Sequence, residues 1–437
     1  MKVSIIIVNY NGSQHLHDLF RSIRELEFPK EQLEVIFFDN GSADDSLEKI
    51  SQEYPEARVL ANAENLGFAP PHRIAAQKAK GEVLAFLNND MKVHPRWVSE
   101  GLSYLKPDQG VVCAGSRILS WDGKSIDFSG GSLQYLGYAE NFHKDIVKDG
   151  APVLFPCGGA MFISREVFLE AGCFDDDYFA IFEDVDLGWR LWIMGYKVVM
   201  ARRSIAYHKG HATLDTRNEV QKRYLMHKNA LVTIIKNYQD ENLSNILPAA
   251  LSLALKRALL FMGVDKRQFY FWEDNQGSIS LTKNSIEGLL HLVVLDDVFG
   301  EYEHIAQKRA LVQTRRILQD EEILGMFRDP LRNIMGFREY FWQETALTGS
   351  TGLHKLFQRE EYYRENLQHG LGIARQELSR IRREIDRLTL TNPDLKTIKA
   401  DQESLMKKFD RRRKEKGMVE ALRDSFAYCL ERVRKRN

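Results

Sequence analysis

A chain of 437 residues is too long for one average domain, and its length points to two or three. Hydrophobic residues make up 44% and charged residues 28%, with few prolines, which excludes collagen-like, low-complexity and disordered chains. Net charge is zero but unevenly spread, because Leu371 to Asn437 holds 19 Lys and Arg against 11 Asp and Glu. Such a basic tail suits an anionic surface such as a membrane, or is a solvated helix face.

The first 120 residues alternate between two hydrophobic periods. "KVSIIIV" predicts a strand, and "HLHDLFRSIREL" then sets Leu16, Leu19, Phe20, Ile23 and Leu26 on one helical face. "LEVIFF" predicts a second strand, and "SADDSLEKISQEY" a helix with Ser42 as its N-cap. A short strand "RVLA", a helical "HRIAAQKAK", the all-apolar strand Val83 to Leu87 and a helix from Arg96 follow, and "GVVCAGSRIL" closes the series. Strands apolar on both faces that alternate with helices predict a parallel sheet covered on both sides. Ligands bind such sheets beyond the carboxyl ends of the strands. Those ends are Asn9-Tyr10, Asp39 and Asn88-Asn89-Asp90. Neither G-x-G-x-x-G after the first strand nor G-x-x-x-x-G-K-[ST] occurs, which disfavours the dinucleotide and P-loop readings. A metal is one way to neutralise a diphosphate without those loops.

Further along, "PCGGAMFISREVF" sets Gly158 and Gly159 before a strand-like run, as where a backbone passes close to a ligand. "FDDDYFAIFEDVDLGWRLW" carries Asp175, Asp176, Asp177, Glu183, Asp184 and Asp186. Glu183, Asp186 and Arg190 can share a helical face, so a salt-bridged helix start weighs equally with a catalytic cluster. "IAYHKGHAT" sets His208 and His211 after an apolar segment, and histidines with Asp90 make a hard-to-borderline metal site feasible.

From about Arg217 the pattern is helical. "LPAALSLALKRALLFMGV" from Leu247 is broken by Lys256-Arg257, so it predicts either an interfacial helix or one packed on the rest of the chain. Leu367, Leu371, Ala374, Leu378, Ile381, Ile385 and Leu388 keep heptad spacing, and two further runs follow before and after "RRRKEKG" with Gly417 as a hinge. These predict a coiled-coil homo-oligomer or an intramolecular hairpin. Expected boundaries are 1–240, 241–350 and 351–437. Four scattered cysteines without C-x-x-C fit a reducing compartment, and "VSIIIV" is too short for a signal-peptide core.

The order "SIIIVNYNG", "FFDNGSADDS", "NLGFA", "FLNND", "GGAMFISREVF", "FDDDYFAIFEDVDLGWRL" and "YHKGHAT" resembles inverting family 2 glycosyltransferases, and among them the bacterial rhamnosyltransferase and galactofuranosyltransferase-like members. The resemblance covers roughly residues 1 to 240. It implies a GT-A fold, Rossmann-like with a mostly parallel sheet covered by helices, and a deoxythymidine- or uridine-diphosphate sugar as donor. It places Tyr10 against the nucleotide base, Asp39 on base or ribose, and Asn65 and Asn89 on the donor side. Asp90 and His208 would hold Mg²⁺ or Mn²⁺, Asp184 would be the catalytic base with Glu183 and Asp186 as positioning neighbours, and Gly158 and Gly159 would line the acceptor side. Implied partners are the sugar nucleotide and a glycan acceptor, lipid-linked in similar enzymes, with no nucleic acid. The implied location is cytoplasmic, either free or peripheral on the inner membrane. After "NLGFA", "PPHRI" departs from the family's small residues and asparagine and puts carry-over at that turn in doubt. A sugar nucleotidylyltransferase and a non-catalytic scaffold of a polysaccharide assembly complex are the alternatives. The first lacks its glycine-rich basic loop here, since "NYNGSQ" has one glycine and no basic residue.

Overall fold

The computed structural model describes residues 2–210, 219–264 and 285–357, all within one compact unit spanning Met1–Arg359. The heptad runs, Gly417, the basic tail clusters and His211 lie outside the described residues.

The amino-terminal half runs β1 (Val3–Asn9), α1 (Ser13–Arg24), β2 (Leu33–Asn40), α2 (Ser46–Glu53), β3 (Arg58–Asn62), α3 (Ala69–Lys78) and β4 (Val83–Leu87). β5 (Met91–Val93), α4 (Trp97–Tyr104), β6 (Val111–Ser120), β7 (Ile126–Phe128), β8 (Gly131–Leu133) and β9 (Ala139–Asn141) follow. β10 (Ala160–Ser164), α5 (Arg165–Glu170), α6 (Glu183–Ile193) and β11 (Lys197–His208) complete it. The main sheet has the order β3-β2-β1-β4-β10-β6-β11-β5, with β7 on β6 and a separate β8-β9 pair. β1, β2, β3 and β4 pair in parallel, as do β6 and β11. Among the described strands four pairings of this sheet are parallel and four antiparallel, so the α/β, helix-covered architecture expected of a GT-A fold is present but the expectation of a mostly parallel sheet is corrected to a mixed one.

Val3, Ile5, Ile6 and Ile7 of β1 and all of β4 are buried, since helices cover both faces, while Leu16, Leu19, Phe20, Ile23 and Leu26 bury the inward face of α1. The expectation for Ser42 is corrected. α2 starts four residues later, at Ser46. Ser42 Oγ is taken by the Asn9 side chain (3.2 Å) and the Asn11 N–H (3.0 Å), which hold the loop after β2 beside the loop after β1.

β10 runs antiparallel between β4 and β6. That reversal sets the sheet's function, because it brings the start of one strand to the carboxyl ends of the others. Leu87 pairs with Ala160, so Gly158-Gly159 lie opposite Asn88. β5 pairs antiparallel with β11, and Met91 opposite His208 puts Asp90 beside that histidine.

The rest of the unit is helical: α7 (Glu219–Asn237), α8 (Asp240–Phe261), α9 (Ser285–Gly300), α10 (Tyr302–Thr314), α11 (Asp320–Leu324), α12 (Arg338–Ser350) and α13 (Leu353–Leu356). By length and composition α8 could cross a membrane. Here it packs on α9 and α12 and buries Ile246, Leu253 and Ala258.

Between α7, α8 and α9 lies a buried polar cluster. The buried rings of His227 and His291 are 4.4 Å apart, and His227 Nδ1 meets the Tyr138 hydroxyl at 2.7 Å. Buried Arg257 lies nearby and donates to the Tyr340 hydroxyl at 2.8 Å. Burial first, and then the Arg257 charge, lowers His227 from 6.5 to about 3 and His291 to about 2. A depressed folded pKa gives stability that is complete above 6.5 and lost as pH falls toward about 3. Unfolding free energy should therefore drop by about 1.4 kcal/mol per pH unit for each histidine between about pH 6 and pH 4. Urea melts across that range should show a shallower slope for His291→Phe, and equal slopes would refute the assignment.

Candidate active site

The loops at the carboxyl ends of β1, β2 and β4 are knitted by short polar side chains. Asn9 is buried and donates to Asp39 Oδ1 at 3.4 Å, while Asn89 donates to Asn9 Oδ1 at 2.7 Å. Asp39 Oδ2 accepts from the Ser42 N–H at 3.1 Å. Asn11, in the left-handed region at φ 50, accepts from the Ala43 N–H at 2.8 Å. Tyr10 stands at this edge with 46% of its surface exposed, free to meet a ring. Asn65 is exposed, and its Oδ1 accepts from Asn40 and from the Gly67 N–H, both at 2.9 Å. Asn89 likewise spends its amide on Asn9, one of the strand ends named from the sequence.

Gly12 was not singled out from the sequence. A Cβ there would overlap the Asn89 amide and come within 2.5 Å of Asn9 Oδ1. Only a glycine lets α1 begin against this pair.

Asp90, almost fully buried, lies with its Oδ2 3.3 Å from His208 Nε2. The other ring nitrogen of His208 meets Asp127 Oδ2 at 2.6 Å. The hydrogen bond to Asp127, then that to Asp90, raises His208 to about 9. A carboxylate on the far nitrogen of a histidine is the usual support of a metal-ligating imidazole, since it sets the tautomer and aims the free nitrogen. Among the described residues no three His, Cys, Asp or Glu side chains gather as a metal cage. An oxygen and a nitrogen donor from β5's start and β11's end still fit a divalent ion that takes its other ligands from water and phosphate.

The Glu183–Asp184 group lies across the Gly158-Gly159 turn. Gly158 N–H donates to Asp184 Oδ2 at 2.8 Å, and Val185 N–H donates to Oδ1 at 2.8 Å. The Asn88 N–H donates to the Gly159 carbonyl at 2.9 Å. A Cβ on Gly159 would come within 2.8 Å of Asn88 Nδ2, and one on Gly158 within 3.3 Å of Asp184 Cβ. These two glycines thus let the Asp90 segment and the Asp184 segment approach. Burial raises Asp184 against the pull of its two N–H donors. Burial, then the neighbouring Asp184 charge, pushes Glu183 up to about 8, and its Oε2 meets no donor.

Asp186 takes a different place. It is fully buried, 2.7 Å from Arg190 Nε and 2.9 Å from Lys236 Nζ, and accepts from Asn237 at 3.1 Å. Burial works to raise it, but Arg190 and Lys236 hold it below the usual carboxylate range. It is an anchor between α6 and α7. The "PPHRI" departure also resolves: Pro70 and Pro71 occupy the first turn of α3, where proline is favoured. His72 is buried among Phe68, Phe86 and Phe174, and Arg73 pairs with Asp176 at 2.8 Å.

Comparison with known proteins finds similarity to glycosyltransferases. Residues 4–172 match the model "Glycosyl transferase family 2", and residues 130–270 match "Glycosyl transferase family group 2". The chain is 26% identical over 136 residues to glycosyltransferase AglE of Haloferax volcanii, covering 30% of this chain and 40% of that protein. It is 26% identical over 238 residues to the N-acetylglucosaminyl-diphospho-decaprenol L-rhamnosyltransferase of Mycobacterium tuberculosis, covering 48% of this chain and 76% of that one. The crystal structure of GalNAc-T7 with UDP, GalNAc and Mn²⁺ aligns at a TM-score of 0.47 and 20% identity, over 58% of this chain and 51% of that one.

Replacing Gly12 by alanine should break the Asn89–Asn9 bond and cost about 1–3 kcal/mol, as overpacking of a tight interior does. Chemical denaturation reads this directly, and an unchanged midpoint would contradict the packing described.

Proposed function

The chain belongs to glycosyl transferase family 2, and we propose that it transfers a sugar, with inversion, from a nucleoside-diphosphate donor to a glycan hydroxyl. The process proposed is assembly of a bacterial cell-surface polysaccharide, in the cytoplasm or on the inner face of the membrane. Rhamnose from its deoxythymidine-diphosphate form is the first donor, and a uridine-diphosphate sugar the second. The mycobacterial relative, by its name a rhamnosyltransferase acting on a diphospho-decaprenol-linked sugar, supports this donor and a lipid-linked acceptor. The observation that carries the reading is the pairing of two separate carboxylates across one glycine turn: Asp184 tied to Gly158 N–H, and Asp90 beside His208.

In a single displacement one carboxylate is enough on the acceptor side. Asp184 takes the proton of the acceptor hydroxyl as its oxygen bonds to the anomeric carbon, and the bond from that carbon to the diphosphate oxygen breaks with its electron pair. Gly158 and Val185 N–H fix the direction of the Asp184 lone pairs. Tyr10 offers its exposed ring to the base, and Asp39 an acceptor to base or ribose. Asp90 and His208 would hold a divalent metal, which when bound supplies positive charge to the departing diphosphate. Asp127 holds His208 in the orientation this needs.

Asp184→Asn removes the proton acceptor but keeps the shape. Transfer from a panel of sugar nucleotides should fall at least about 10²-fold, with donor affinity by calorimetry unchanged. Near wild-type turnover would defeat the base assignment. Asp127→Ala should weaken Mn²⁺ binding by about 10- to 100-fold in a titration followed by electron paramagnetic resonance. Equal affinity would remove His208 from the metal site.

A further inference from the structure

Helix α7 meets the carboxylate-bearing segment along a polar stripe. Asn229, Thr233, Lys236 and Asn237 share one helical face by their spacing, and all four are buried. Buried polar groups on a helix are costly unless each finds a partner. Thr233 meets the Tyr178 hydroxyl at 2.7 Å. Lys236 reaches Asp175 and Asp186 at 2.5 and 2.9 Å, and Asn237 donates to Asp186. These contacts join side chain to side chain.

Asn229 does something else. Its single amide donates both hydrogens to backbone carbonyls, that of Ala180 at 2.9 Å and that of Ile181 at 2.6 Å. Ile181 and Phe182 both lie in the left-handed region, at φ 71 and 72. For non-glycine residues, and above all a β-branched isoleucine, each costs about 1–3 kcal/mol and persists only where neighbours enforce it. Phe182 immediately precedes α6, and its carbonyl accepts from the Asp186 N–H at 3.0 Å. The turn therefore sets the direction in which Glu183 and Asp184 leave, and with it the contact from Gly158 N–H to Asp184 Oδ2.

We propose that Asn229 is a positioning residue for the acceptor-side carboxylate, holding the Ile181–Phe182 turn in its left-handed form so that Asp184 faces Gly158. This rests on the reading of Asp184 as the base. Both amide hydrogens are used, so an aspartate at 229 would have no donor and would set its charge against two carbonyl oxygens, whereas glutamine keeps the donor pair on a longer arm.

The test uses the full chain, with whichever sugar nucleotide of a deoxythymidine- and uridine-diphosphate panel the wild type turns over. Asn229→Ala should lower kcat by about 10²-fold, the cost of misplacing a reacting group by about an ångström, with donor KM unchanged. Asn229→Gln should recover part of that loss and Asn229→Asp none. Thr233→Val, on the same face but bonded to a side chain, should keep wild-type kcat. Wild-type kcat in Asn229→Ala, or an equal fall in Thr233→Val, overturns the proposal. If Asn229→Ala does not fold, the pair of Gln and Asp variants decides: equal kcat in both overturns it. A wild type that turns over no sugar nucleotide in the panel defeats the glycosyltransferase activity itself, a result distinct from all of these.

Discussion

The arrangement depends on one buried electrostatic constraint, the ion cluster centred on Asp186. Asp186 has no exposed surface, yet it is charged, with Arg190, Lys236 and Asn237 around it. Arg190 also donates to the carbonyls of Ala171 and Cys173, at the latter with a 2.8 Å bond. Lys236 joins Asp175, which Lys308 of α10 meets from the other side. A charge removed from water is tolerated only when its partners are fixed, and losing one partner costs about 3–5 kcal/mol. Four separate parts of the chain, residues 171–177, α6, α7 and α10, must therefore arrive together. The segment that carries Glu183 and Asp184 is held from behind by helices that lie outside the sheet.

That constraint acts on the second half of the site; the first half is held by backbone pairing. Parallel pairing of β1, β2 and β4 aligns Asn9, Asp39 and Asn88 at one edge. The antiparallel β10 then delivers Gly158 and Gly159 to the same edge, and antiparallel β5 delivers Asp90 to His208. Two glycines fill the seam, where a Cβ on Gly159 would come within 2.8 Å of Asn88 Nδ2 and one on Gly158 would be tight at 3.3 Å from Asp184 Cβ. The geometry needed for displacement, a proton acceptor on one side and a charge-neutralising pair on the other, comes from strand direction more than from any one side chain.

These two halves were not equally legible in the sequence. β1, β2, β4 and their helices have unbroken apolar runs and clear helical faces, so local pattern was enough to place them. So were Asp90 and Gly158-Gly159, which sit where predicted strands end or begin. β5 and β7 have three residues each, too few for a period to show. Asp127 belongs to such a strand and meets His208 across 81 positions. Spacing also left Asp186 evenly divided between a salt-bridged helix and a catalytic group, because Arg190 lies at i+4 in either case, and only Lys236 from α7 separates them. Asn11 looks like an ordinary turn residue, and Ser42 like a helix cap, until the sheet brings their loops side by side.

The same separation of environments explains why two adjacent carboxylates need not compete for one role. Glu183 and Asp184 are consecutive on one helix start and both are pushed up by burial, so a proton on either relieves the other. Asp184 receives two backbone N–H donors at 2.8 Å, which favour its charged form. Glu183 Oε2 receives none. The two N–H donors therefore favour the charge on Asp184, while burial and the Asp184 charge push Glu183 toward its protonated form. A neutral glutamic acid beside an ionised aspartate leaves one carboxylate able to accept a proton near neutral pH and the other able only to donate a hydrogen bond. Gly158, a residue with no side chain, contributes to that bias through its N–H, together with the N–H of Val185.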